Sequence, residues 1–176
     1  MKAPKRSVSD QKLRQQRLVF YKDDIELIDK VLAEFLRLSG SRCALLIDKE
    51  GHLVTRSGDI KTINMDTISA LVAGSFAATK EMAKLLGEEH FSCLFHQGER
   101  DNIQLSLVGD RTLLTIMFDD RTTVGMVRLY ATETCKKLCQ IFEAAAERSD
   151  RDGDELDLLD DGYGANAKNA LDKFFN

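Results

Sequence analysis

No stretch of eighteen apolar residues occurs in this 176-residue chain, so no segment reads as a membrane-crossing helix. The first residues are basic and polar and lack the apolar middle of a signal peptide, and the expectation is a cytoplasmic protein. Four cysteines, Cys43, Cys93, Cys135 and Cys139, are too few for a disulfide framework and read as small core residues. A net charge of −4 is too mild for a general polyanion binder. The G-x-x-x-x-G-K-[ST] loop is absent, so the chain does not cradle a nucleotide triphosphate as a P-loop protein does. Neither G-x-S-x-G nor H-E-x-x-H occurs, which leaves ordinary hydrolase chemistry without a carrier. No active site and no cofactor are expected.

What charge there is falls unevenly. Residues 1–18 hold six Lys or Arg against one acid, together with Pro4, the single proline. This is the composition of a disordered basic arm. Between Glu147 and Asp161 stand eight acids against two arginines, followed by Gly162-Tyr163-Gly164. The expected organisation is an arm over 1–18, a domain over 19–148, an acidic flexible linker over 149–164 and an amphipathic helix over 165–176.

Within the domain, Ile25, Ile28, Leu32, Phe35 and Leu36 recur at three- and four-residue spacing, which predicts a helix over 22–38 ended by Gly40. Segments 42–48 and 52–56 flank Asp48-Lys49-Glu50-Gly51 and read as a β-hairpin. Asp66 is a candidate N-cap for a long helix over 67–86, closed by Gly87. Strands are expected at 102–108, 112–118 and 124–130, the first two joined at Gly109-Asp110, and a last helix at 132–148. The order α-β-β-α-β-β-β-α predicts an α/β sandwich with a mostly antiparallel five-stranded sheet. In a lone domain the edge of a strand such as 102–108 would be open, and open edges invite pairing with a second copy.

Three groups could carry chemistry. His90, Cys93 and His96 have an H-x2-C-x2-H spacing, but they sit where helix gives way to strand, where alternate residues point apart, and no fourth zinc ligand is near. Cys135 and Cys139 stand four apart on the last helix, as half-buried residues also would. Asp119-Asp120, followed by Arg121-Thr122, is written as a turn. None is assigned a metal or a catalytic role.

Two features stand out. At 100° per residue, Ile68, Leu71, Val72, Thr79, Met82, Ala83 and Leu86 share one face of the long helix, and Ala70, Ala73, Gly74, Ala77, Glu81 and Lys84 lie opposite. A mid-helix glycine costs about 1 kcal/mol against alanine, so this small face reads as a docking surface or a helix pair across a dimer. The second feature is the tail, where Ala167, Ala170, Leu171, Phe174 and Phe175 form an amphipathic stripe too short to be a stable helix alone. Such a segment orders on a partner's groove or docks back on its own domain.

The runs Ala44-Leu45-Leu46-Ile47-Asp48-Lys49-Glu50-Gly51, Ala73-Gly74-Ser75-Phe76-Ala77-Ala78 and Ala83-Lys84-Leu85-Leu86-Gly87-Glu88 resemble the Roadblock/LC7 family. So do Phe95-His96-Gln97-Gly98, Val108-Gly109, Phe118-Asp119-Asp120-Arg121-Thr122 and Gly125-Met126-Val127-Arg128-Leu129. The likeness covers about residues 19–148. It implies a homodimer with sheets joined through the third strands and the two long helices side by side. That platform would hold one small Ras-like GTPase per two protomers and speed its GTP hydrolysis. The implied GTPase-binding residues are Ala70, Ala73, Gly74, Ala77, Glu81 and Lys84, with Leu171, Phe174 and Phe175 of the tail on a second GTPase surface, tuning nucleotide exchange. The small face has no arginine to serve as a finger, which agrees with activation by remodelling the GTPase. The resemblance further implies work in cell polarity or gliding motility, with concentration at a cell pole. The alternative is a non-activating scaffold that binds a GTPase or a motor complex.

Overall fold

The computed structural model describes the backbone of residues 20–59 and 64–174, with side chains up to residue 149. The elements run α1 (Lys22–Ser39), β1 (Cys43–Asp48), β2 (Leu53–Gly58), α2 (Met65–Leu85), β3 (Cys93–His96), β4 (Asn102–Val108), β5 (Thr112–Phe118) and α3 (Val124–Phe174). The expected order of helices and strands holds, and all strand pairs of the sheet β2-β1-β5-β4-β3 are antiparallel. The residues divide into two compact units, Lys22–Ile141 and Met1–Tyr21 with Phe142–Asn176.

The first unit is a three-layer sandwich. β1 and β5 lie at the centre of the sheet and are buried on both faces, which explains their near-continuous apolar sequences. Cys43, Leu45, Ile47, Leu105, Leu113 and Met117 point to one face and pack with Val72 and Phe76 of α2. The alternating residues Ala44, Leu46, Leu114, Ile116 and Phe118 are equally buried on the opposite face. There Thr55, opposite Leu46 in the ladder, donates its hydroxyl hydrogen bond to Asp29 of α1. Lys137 of α3 reaches Glu34 of α1 at 3.0 Å, so α1 and α3 together form the second helical layer.

Local chemistry explains the joints. Gly40 takes φ +69° and donates to the Leu36 carbonyl at 3.0 Å, closing α1 as expected. Gly51 stands at φ +92° in the β1–β2 turn, where a Cβ would lie 3.0 Å from the Cα of Ala70. Glycine there satisfies the turn and also lets it approach α2.

Several expectations are corrected. The cap of α2 is Asn64, whose side chain accepts from the Thr67 N–H at 2.9 Å, and not Asp66. Residues 124–130 are not a strand but the first two turns of α3. Thr123 caps that helix, its hydroxyl accepting from the Met126 N–H at 3.3 Å. From there Val127, Ala131, Leu138 and Ala145 are buried at helical spacing, which overrides the strand propensity of Val124, Val127 and Tyr130. The missing strand is β3, and it pairs with β4, so 102–108 is an internal strand and not an edge.

In the second unit the rings of Phe20 and Phe142 meet at 5.2 Å between centroids, and the Arg148 guanidinium lies 5.9 Å from the Tyr21 ring centroid. The backbone of α3 continues as helix to Phe174. The backbone over 149–164, for which acidic composition implies a linker, is helical along with 165–174. The basic arm over 1–18 and Phe175 lie outside the described residues.

Candidate functional site

The candidate site is the side of α2 turned away from the sheet. Ser69, Val72, Ala73, Phe76 and Ala83 are the buried residues of the helix. Sequence periodicity places Leu71, Val72, Met82 and Leu86 on one inward face. In the structure that face divides, because only Val72 and Ala83 of it are buried, while Leu71 is 63% exposed, Met82 56% and Leu86 82%; Leu85 next to it is 88% exposed. Phe76, the largest side chain of the middle turn, wins the contact with the sheet. Its ring meets that of Phe91 at 5.0 Å between centroids, tilted by 40°, and it turns the leucines outward.

The outward side carries two stripes. Leu71, Ser75, Ala78, Met82 and Leu85 repeat at alternating four- and three-residue steps, the spacing of a seam between paired helices. About 100° around the helix, by the rotation per residue, lie Ala70, Gly74, Ala77, Glu81 and Lys84, all exposed. A Cβ built on Gly74 would meet nothing within 4 Å. The chain itself thus offers no reason for a glycine there. Glu81 accepts from the Lys84 ammonium at 2.7 Å, with both side chains more than half exposed, a pair that contributes little stability. Of the residues expected to bind a partner, Ala73 is instead buried, because its Cβ turns toward the sheet layer. Leu171 and Phe174 fall on the helical backbone of α3.

Beside α2 lies the sheet edge β3. His96 reaches across to it, its Nε2 3.5 Å from the Ser75 hydroxyl. β3 has a neighbour only on its β4 side among the described residues, which leaves a row of backbone donors and acceptors for edge pairing. The two features adjoin, so one partner could meet both. Leu71 and Met82 of the seam stripe are residues that periodicity places on the covered face. Their four-three spacing is in the sequence, but an apolar residue at such a step is read as core until the packing shows otherwise.

The other candidate groups separate. Leu94 and His96 look toward α2, and Cys93 takes the opposite face, so the His90, Cys93 and His96 set does not converge. Among the described residues no three His, Cys, Asp or Glu side chains gather to hold a metal ion. Asp119 accepts from the Arg121 backbone N–H at 3.1 Å and from its Nε at 2.9 Å. The hydrogen bond from the Arg121 guanidinium holds the Asp119 carboxyl below its ordinary range, and the group closes the β5–α3 turn. Cys43 is buried as expected, Cys135 and Cys139 are half-buried, and Cys93 is exposed and not a core residue.

A family model for the Roadblock/LC7 domain matches residues 27–118. Among solved structures, MglB of Myxococcus xanthus is 34% identical, with a TM-score of 0.68 over 73% of this chain and 96% of that one. The gliding protein MglB of Thermus thermophilus is 38% identical, with a TM-score of 0.66 over 72% of this chain and 96% of that one. A structure of MglB in a tetrameric arrangement is 37% identical, with a TM-score of 0.67 over 73% and 96%. The domain match and the likeness to solved structures at 34–38% identity agree, and the chain belongs to the Roadblock/LC7 family.

Proposed function

We propose that this protein is an MglB-type homodimeric regulator of a small Ras-like GTPase, stimulating GTP hydrolysis by its partner. The observation that carries the reading is the uncovered side of α2, with four large apolar side chains exposed next to a stripe of small residues. Exposed leucines in such number mark an interaction surface. A second copy suits the seam of Leu71, Met82 and Leu85, because two such helices side by side bury like against like, and β3 adjoins it to extend the sheet. The small stripe of Ala70, Gly74, Ala77, Glu81 and Lys84 then remains open on both protomers and forms a platform for one MglA-like GTPase.

The chemistry of activation belongs to the GTPase. Phosphoryl transfer depends on positioning and charge stabilisation, and α2 carries no arginine that could enter a partner's nucleotide site. A platform of short side chains instead lets a partner's backbone approach closely, which suits remodelling of its switch segments. The C-terminal segment, through Leu171, Phe174 and Phe175, binds a second surface of the GTPase and tunes nucleotide exchange. In this reading the domain over 19–148 is the platform, the segment beyond it is regulatory, and the protein works in polarity or motility at a cell pole.

The test is single-turnover GTP hydrolysis by the cognate Ras-like GTPase with and without this protein. A rate that rises with concentration to a plateau supports activation. Binding with an unchanged rate would leave the scaffold as the better description, and absence of binding would refute both.

A further inference from the structure

The last helix continues through a stretch that makes a poor helix by itself. Between Glu147 and Asp161 stand eight acids against two arginines, and the backbone there is helical throughout. Glu147 and Asp150, Asp150 and Asp154, Asp154 and Asp157, and Asp157 and Asp161 are three or four positions apart, the spacings at which like charges on a helix repel. Gly153, Gly162 and Gly164 weaken the helix further. Opposite charge alongside would offset that repulsion.

The chain's own positive charge starts from the surface of that helix. Phe20 and Tyr21 belong to the same compact unit as Phe142–Asn176. The Phe20 ring meets that of Phe142 at 5.2 Å between centroids, and the Arg148 guanidinium lies 5.9 Å from the centroid of Tyr21. Arg148 Nε also donates to the Ala144 carbonyl at 3.2 Å, which holds the guanidinium over that turn. The chain before Phe20 therefore departs from α3 at the turn where the acidic stretch opens. Its residues 1–18 hold six Lys or Arg against one acid, the strongest positive run in the sequence. Reach is no obstacle. The acidic stretch is about 21 Å long at 1.5 Å per residue, and eighteen residues span about 27 Å as a helix or about 60 Å extended.

We propose that the basic arm, residues 1–18, docks within its own chain along the acidic stretch of α3, residues 147–161, as an electrostatic clasp. Each exposed ion pair is weak and screened by salt. The anchor at Phe20 and Tyr21, however, gives the arm an effective concentration on the order of millimolar beside the helix, so several weak pairs suffice together. The same tether favours the arm of the same chain over that of a second copy. The clasp neutralises the acidic stretch, supports α3 toward Leu171 and Phe174, and withholds the arm from other polyanions. It does not depend on the GTPase reading.

Carbodiimide cross-linking of the full chain tests this, because it joins a lysine amine to a carboxylate only where the two touch. An equal mixture of unlabelled and nitrogen-15-labelled protein is cross-linked at low salt, digested and mapped by mass spectrometry. The expected links join Lys2, Lys5 or Lys12 to acids within 147–161, in peptides of single isotopic origin. They should fade at about 1 M sodium chloride, where screening shortens to about 3 Å. In the triple variant Lys12→Glu, Arg14→Glu, Arg17→Glu, amide hydrogen exchange over 150–161 should quicken about tenfold or more, while that of β5 stays as in the parent. Links found only in mixed-isotope peptides, arm lysines joined only to carboxylates outside 147–161, no link at all, or unchanged exchange in the variant would each overturn the proposal. Binding of the parent to phosphatidylglycerol vesicles, lost in the variant and accompanied by no such link, would overturn it in favour of a membrane. The map is made on the unaltered chain, so a misfolded variant leaves the test intact.

Discussion

Leu85→Lys is the most direct probe of the α2 seam. Leu85 is 88% exposed in the single chain and lies in the last turn of α2. There a lysine has nearly the helix propensity of leucine and complements the helix dipole. The stability of the isolated chain should therefore change by less than about 0.5 kcal/mol. In a dimer paired along the seam, each copy buries its leucine. Burying a leucine contributes about 1.5–3 kcal/mol, so two of them at nine-tenths exposure contribute about 3–5 kcal/mol. Their loss weakens dimerisation on the order of 10²–10⁴-fold, before any repulsion between the two lysines. Light scattering across the micromolar range should show a dimer for the parent and a monomer for the variant, with unchanged far-UV circular dichroism. A variant that keeps the dimer mass on dilution as the parent does would refute the seam. Self-association would then have to run through β3 or another surface.

Ala77→Arg should retain the fold, since Ala77 is exposed and both residues favour helix, yet it should abolish GTPase binding in a pull-down, because a long charged side chain blocks close approach. Continued stimulation of hydrolysis by that variant would show the small stripe to be the wrong surface. Truncation after Asp161 should leave dimer mass and melting temperature nearly unchanged while weakening GTPase affinity and altering nucleotide exchange, as titration calorimetry and a release assay can read. If the truncated chain unfolds, the tail is core structure. Arg121→Gln should move the Asp119 midpoint in an NMR titration upward, toward the ordinary aspartate value of about 4. The folded-state value is depressed, so whatever the pair contributes is present above the unfolded value and lost as pH falls through the folded one. Between about pH 5 and 8, well above both, no pH-dependent difference from the parent is expected.

Much of the fold is legible because its long elements declare their period. Ile28, Leu32 and Phe35 read as the inner stripe of α1, and they are buried. The β1–β2 hairpin is announced by Gly51, and the β4–β5 pair by Gly109, which takes φ +64°. What escaped were short or double-natured segments. β3 has four residues and only partial burial, so it lacks a period long enough to register. Residues 124–130 hold strand-favouring Val124, Val127 and Tyr130 and also carry helical spacing from Val127 to Ala131. The helix prevails because that second pattern continues through Leu138, so one continuous apolar stripe can be buried.

The sequence by itself determined the class of molecule. Its lack of a P-loop, its long helices and hairpins and its family motifs follow from residue types and spacing, which local chain geometry translates without outside help. The tertiary structure alone decided orientation. Ala73 against Gly74, Phe76 against Leu71 and Cys93 against Leu94 are choices between neighbouring residues on one element, differing by 100° on a helix or 180° on a strand. Hydrophobicity does not make those choices, since leucine is as apolar in a core as in an interface. They follow from packing volume, with Phe76 filling the space over the sheet and leaving Leu71, Met82 and Leu85 in water until another surface covers them.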